Sequence, residues 1–157
     1  MKPTASERVP GRARLQEIGR ELGRDARDGD IIALYGPKRV GKTVLARAIV
    51  EALGVKESFS PSSFVIRQTY RTGRTLVHHL DLYKVAGTYE FCSAGMDQWL
   101  EVPGVTIIEW ADRIERLLPE QTIRVEIDFG ERLDERVISI THHAQDTPET
   151  SREELTT

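Results

Sequence analysis

Hydrophobic positions recur along this chain in two rhythms. Between residues 12 and 27, Leu15, Ile18, Leu22 and Ala26 fall three or four apart. That repeat gathers side chains on one face of an α-helix, so the segment is predicted to be amphipathic, with its five arginines on the solvated face. Residues 31–35, Ile-Ile-Ala-Leu-Tyr, are a short apolar run of the kind that forms a buried strand. Residues 44–53 are again helical in pattern and are closed by Gly54. Residues 63–70 and 75–81 read as the two strands of a hairpin around the turn at 71–74. Helix in part is expected over 82–95, and a short helix over 96–100. Pro103-Gly104 breaks the chain before the apolar strand 105–110, and residues 112–118 form a helix stopped by Pro119. A second hairpin pairs 122–129 with 135–142, where Ile123, Val125 and Ile127 share a face by the strand period of two.

The ends lack either rhythm. Residues 1–11 carry two prolines and are expected to be a flexible arm. Residues 144–157 are acidic and rich in Thr and Glu, and are expected to be a disordered tail. The folded unit is then 12–143. Its mixed helices and strands predict an α/β three-layer sandwich of the P-loop NTPase-like kind, with a parallel core and antiparallel hairpins at the edges.

Composition narrows the setting. A chain of 157 residues suggests one domain with room for a core. No apolar run approaches the roughly 20 residues that span a bilayer, and the N-terminus has no signal-type stretch. Cys92 is the single cysteine, so it has no internal disulfide partner, and its helical context suggests a packed position. These features point to the cytoplasm and away from membranes. The net charge of −3 argues against nucleic-acid binding by the chain's own electrostatic footprint. A contact by the helix arginines with RNA or a partner is the minority reading.

The chemistry sits between strand 31–35 and helix 44–53. Gly36-Pro37-Lys38-Arg39-Val40-Gly41-Lys42-Thr43 fits the phosphate-binding pattern of Gly, four residues, then Gly-Lys-Thr. Gly36 and Gly41 permit the tight turn that aims successive N–H groups at phosphate oxygens. The helix start adds its positive dipole end. Lys42 is placed to reach the β- and γ-phosphates, and Thr43 to ligate Mg²⁺. The nucleotide-binding set is thus Gly36, Lys38, Arg39, Val40, Gly41, Lys42, Thr43 and Val44. Two acids, Asp81 and Glu109, end apolar strands, where open α/β sheets deliver functional groups. Each is either metal-linked or a solvated strand-end carboxylate. His79 shares a strand face with Asp81 and, as a poor Mg²⁺ ligand, reads as support or packing. No Cys or His pairs have zinc-ligand spacing.

Taken in order, residues 29–36 (Gly-Asp-Ile-Ile-Ala-Leu-Tyr-Gly), Gly41-Lys42-Thr43, 60–64 (Ser-Pro-Ser-Ser-Phe), 79–84 (His-Leu-Asp-Leu-Tyr-Lys), 95–100 (Gly-Met-Asp-Gln-Trp-Leu) and 108–112 (Ile-Glu-Trp-Ala-Asp) resemble the TsaE (YjeE) family. The likeness covers about residues 15–140. It implies an ATPase that supports threonylcarbamoylation of tRNA adenosine 37 by binding and resetting the TsaB–TsaD transferase pair, touching tRNA only through that complex. It implies ATP and Mg²⁺ as cofactors, with Lys42 on phosphate, Thr43 and Glu109 on Mg²⁺, and Asp81 positioning water or metal. Lys42, Asp81 and Glu109 form the catalytic set, and Trp110 lies beside the nucleotide. Ser62 or Ser63 takes the place of a threonine in a switch-like segment.

The chain departs from the family pattern where Arg39 and Val40 stand in place of Gly and Ala. A residue other than glycine at 39 is strained if the position needs a positive φ, or else Lys38 and Arg39 add phosphate contacts. Two other classes compete. A small-molecule kinase needs lid arginines, for which only Arg71 and Arg74 are candidates in mid-chain. A non-hydrolysing nucleotide-gated scaffold would use the same loop without productive water positioning.

Overall fold

Segments buried on both faces run parallel through the middle of one sheet, because only a strand covered by helices above and below can be apolar along its whole length. A computed structural model describes residues 4–57 and 65–142. In chain order the elements are β1 (Thr4–Val9), α1 (Arg12–Asp25), β2 (Ile31–Tyr35), α2 (Lys42–Ala52), β3 (Arg67–Arg71), β4 (Leu76–Asp81), α3 (Thr88–Ser93), a 3₁₀ helix (Met96–Glu101), β5 (Val105–Glu109), a second 3₁₀ helix (Ala111–Leu117), β6 (Ile123–Phe129) and β7 (Arg136–Thr141). The strands lie in the order β1-β7-β6-β2-β5-β4-β3. β6, β2, β5 and β4 are parallel neighbours, while β7, β1 and β3 join antiparallel at the margins. The α/β sandwich read from the pattern is the observed architecture.

α1 and α2 cover one face. Leu15, Ile18 and Leu22 of α1 and Leu45, Ile49 and Val50 of α2 pack on Ile32, Leu34, Ile107 and Val125 of the sheet. Small residues allow close approach. A Cβ at Gly19 would stand 2.6 Å from Ala48 Cβ, and one at Gly23 would stand 2.6 Å from the Ile49 carbonyl oxygen. The other face carries Ile31, Ala33, Leu80 and Ile108 beneath Phe91, Ile114 and Leu118. Its cover is short and irregular. The segment read as helix 112–118 is the second 3₁₀ helix, interrupted at Ile114 (φ −130°).

The flexible arm expected over residues 1–11 is corrected for its described part. β1 pairs antiparallel with β7 from Thr4↔Thr141 to Val9↔Arg136. Val9 is fully buried, and Glu7 takes the Arg14 guanidinium in a two-pronged bond of 2.7 and 2.8 Å. That hydrogen bond holds the Glu7 carboxyl below its ordinary range. An edge strand is held by its backbone ladder and needs no hydrophobic alternation, which is why the pattern missed it. Cys92 is on α3, but it is exposed rather than packed. Residues 1–3 and the proposed tail lie outside the described residues.

Candidate functional site

The parallel strands all end along one edge of the sheet, and there the chain turns over into the glycine-flanked loop 36–43. β2 ends at Tyr35, Gly36 and Gly41 adopt φ 151° and 127°, and α2 begins at Lys42. Those angles favour glycine. β5 lies beside β2 with Glu109 opposite Leu34, and β4 lies beside β5 with Asp81 opposite Glu109. Register thus delivers both strand-end acids to the foot of the loop.

Lys42 is buried. Its ammonium donates to the carbonyls of Gly36 and Pro37, the latter at 2.9 Å, and stands 3.6 Å from the centre of the Trp110 ring. Burial lowers its pKa, and the Glu109, Asp112 and Asp81 carboxylates push it back up. Thr43 Oγ1 donates to Glu109 Oε1 at 2.8 Å, joining positions 66 residues apart. Glu109 is 1% exposed, and its second oxygen lies 2.6 Å from His79 Nε2. His79 therefore fixes the carboxylate, as its strand face suggested, while His78 points the other way and bonds to the Pro103 carbonyl at 2.8 Å. Asp81 is half-buried and accepts from the Tyr83 amide at 3.1 Å. Burial raises its pKa first of all; the amide bond lowers it, and neighbouring Glu109 adds to the rise.

These groups open on a cavity of about 370 Å³. Lys38, Arg39, Gly41, Lys42, Thr43 and Val44 form one wall, and Asp81, Tyr83, Glu109 and Trp110 the other. Two predicted members of the nucleotide set are not on the wall. Gly36 abuts β6, where a Cβ would come within 2.4 Å of the Ile127 carbonyl oxygen. Val40 puts its side chain into the core, and its carbonyl accepts from Arg136 Nε at 2.8 Å. Ser62 and Ser63 lie outside the described residues.

Two non-glycine residues here have positive φ, Arg39 at 67° and Trp110 at 59°. A left-handed conformation costs roughly 1–2 kcal/mol per residue, and such strain clusters at functional positions. Tyr83, which the sequence placed in a motif but not in the site, packs against Trp110 with ring centres 5.1 Å apart and planes tilted by 49°, and receives a 3.2 Å bond from Lys38. Its place two residues after Asp81 was the available signal.

The donors fit a magnesium ion. Thr43 and Glu109 offer a hydroxyl and a carboxylate face to face, with Asp81 beside them, and hard oxygen donors are what that ion prefers. Among the described residues no group of three or more His, Cys, Asp and Glu is gathered as a metal cage. The kinase candidates are elsewhere. The Arg74 guanidinium donates to the carbonyls of Gly23, Arg24 and Ala26 at the end of α1. It lies beyond the start of β4, one strand length from Asp81.

Fold and cavity together define a P-loop-type α/β protein. The family described as "Threonylcarbamoyl adenosine biosynthesis protein TsaE" matches residues 9–138, and the chain belongs to that family. Similar proteins named "tRNA threonylcarbamoyladenosine biosynthesis protein TsaE" include that of Bacillus subtilis, 31% identical over 116 residues, spanning 74% of this chain and 72% of that one. The Streptomyces coelicolor protein of that name is 31% identical over 140 residues, spanning 81% and 89%. The Treponema pallidum protein is 29% identical over 109 residues, spanning 69% and 80%. The crystal structure of Bacillus subtilis YdiB superposes with a TM-score of 0.75 at 27% identity, covering 99% of this chain and 96% of that one. Family membership places the chain in tRNA threonylcarbamoyladenosine biosynthesis. Among the described residues no helix is long and apolar enough to cross a membrane.

Proposed function

We propose that this protein binds ATP with Mg²⁺ and hydrolyses it in the cytoplasm, and that this cycle binds and resets the TsaB–TsaD pair as it modifies adenosine 37 of tRNA. The observation that carries the reading is the 2.8 Å contact between Thr43 and Glu109 at the foot of a glycine-flanked loop. In this reading the loop amides and the α2 N-terminus cradle the phosphates. Lys42 exchanges its two carbonyl partners for phosphate oxygens. Thr43 and Glu109 hold the metal, which neutralises phosphate charge, and His79 keeps Glu109 in place. Asp81 orients the attacking water, and the Trp110–Tyr83 pair shields the cavity mouth. The Arg74 guanidinium is taken up by carbonyls at the end of α1, which weighs against its use in an acceptor lid.

The test is calorimetric titration with ATP and ADP in Mg²⁺, followed by steady-state hydrolysis with and without the TsaB–TsaD pair. The expected result is binding of both nucleotides, slow turnover alone and faster turnover with the pair. Absence of nucleotide binding by the wild-type chain would overturn the reading.

A further inference from the structure

Most side chains of the loop 36–43 are engaged by the protein. Lys42 gives its ammonium to the Gly36 and Pro37 carbonyls. Lys38 donates to the Tyr83 hydroxyl at 3.2 Å. Thr43 donates to Glu109, and Val40 is buried in the core. Arg39 differs from all of these. It is exposed, and among the described residues its guanidinium has neither a hydrogen-bond nor an ion-pair partner.

Its backbone is also costly. The Val40 amide donates to the Pro37 carbonyl at 3.3 Å and closes a four-residue turn, Pro37–Val40. The third position of that turn is Arg39 at φ 67°, where turn chemistry favours glycine because a Cβ is crowded. The chain is fixed on the far side as well. Val40 hands its carbonyl to Arg136 Nε at 2.8 Å, and Gly41 follows at φ 127°. The turn therefore imposes a left-handed backbone on residue 39 whatever its side chain. An arginine there carries strain and returns no side-chain bond to the described protein. Strain of this kind gathers at ligand clamps.

Arg39 lines the same cavity as Thr43 and Glu109. Four cations, Lys38, Arg39, Lys42 and Lys84, stand on its wall against two carboxylates, Asp81 and Glu109. Glu109 is already engaged by Thr43 and His79. That balance suits a ligand with several negative charges. A guanidinium presents a planar fork that matches two phosphate oxygens at once, where the Lys42 ammonium acts as a point charge.

We propose that Arg39 is a specificity-determining residue that binds the phosphate chain of the nucleotide directly, and that the turn keeps its strained backbone for that contact. The proposal rests on the nucleotide reading above and deepens it by naming the part of the ligand this residue reads, phosphate rather than base. It sets stability against affinity at one position, because the residue that relaxes the turn is the one that gives up the contact.

Calorimetric titration of the full chain with ATP and with inorganic tripolyphosphate, both in Mg²⁺, tests this, with thermal melts alongside. Arg39→Gln keeps the left-handed strain and the wild-type melting temperature, and binds ATP about 10- to 100-fold more weakly, the range of a lost hydrogen bond to a charged group. Tripolyphosphate binding weakens by the same factor. Arg39→Lys, which keeps the charge and loses the fork, falls between the two. Arg39→Gly melts higher than wild type and still binds ATP more weakly, so its two measurements move in opposite directions. Equal ATP affinity of wild type and Arg39→Gln overturns the proposal and leaves the nucleotide reading standing. A loss for ATP with none for tripolyphosphate, or a wild type that binds ATP but not tripolyphosphate, overturns the assignment to the phosphate chain. A wild-type chain that binds neither ligand overturns the nucleotide reading and this proposal with it.

Discussion

On one face of the sheet, α1 and α2 lie so close that glycines and alanines make the contact. On the other, α3 and two 3₁₀ helices of six or seven residues each cover the strands in pieces. The first face is regular and tolerates no added atom at Gly19 or Gly23. The second contains the interrupted helix at Ile114, the strained Trp110 and the exposed Tyr89. The difference separates two tasks. A helix pair with long apolar stripes supplies cohesion, and the broken layer frees the ends of β4 and β5 to present Asp81, Glu109 and Trp110 to the loop that α2 carries. The site lies where the two layers meet.

Breaking the regular face has the largest expected effect. Gly23→Leu drives a side chain into the Ile49 carbonyl and is expected to cost at least about 3 kcal/mol, roughly 10 °C in a thermal melt for a chain of this size. Tyr89→Ser, at an 87% exposed position on the other face, stays within about 0.5 kcal/mol of wild type. Equal effects of the two would erase the contrast. Next is the site itself. Glu109→Gln keeps the shape that bonds Thr43 and His79 but removes the charge. ATP hydrolysis is expected to fall about 100-fold, near 2.7 kcal/mol of barrier, with the melting temperature shifted by only a few degrees.

A smaller change of opposite sign is expected at Arg39. Arg39→Gly relieves its left-handed strain, less the greater freedom of glycine in the unfolded chain, for a net stabilisation of about 0.5–1 kcal/mol in denaturant melts. Least in size is the pH dependence of Asp81, whose folded pKa is raised by burial above its ordinary value of 3.8. Between those two values the folded state binds more protons than the unfolded one. The cost of burying this charge is therefore present at neutral pH and is relieved as pH falls through the raised value. Asp81→Asn should raise the melting temperature slightly at pH 7, by a margin that shrinks on acidification. A margin that grows on acidification would reverse the sign.

Much of this was legible in the residues because the signals were local and physical. The apolar run Ile31–Tyr35, the glycine spacing and the helix after it define β2, the loop and α2 with no tertiary information. Period-two alternation gave β6, and acids closing apolar runs marked Asp81 and Glu109. The strain expected at Arg39 is present, at φ 67°. β1 was hidden because its bonds are made by backbone to β7, more than 120 residues away in sequence. The 3₁₀ geometry of 96–101 and 111–117 was hidden because apolar spacing does not tell a tight helix from an ordinary one. The backward orientation of Gly36 and Val40 depends on where the hairpin lies, and no local pattern carries that.

Both margins of the sheet are polar. β1 ends it on one side with Ser6, Glu7 and Arg8, and β3 on the other with Arg67, Gln68 and Arg71. An unpaired strand margin is an invitation to stack against another polypeptide, and charges along it discourage that. Among the described residues, charge at both flanks thus works against extension of this sheet by a neighbour's strand.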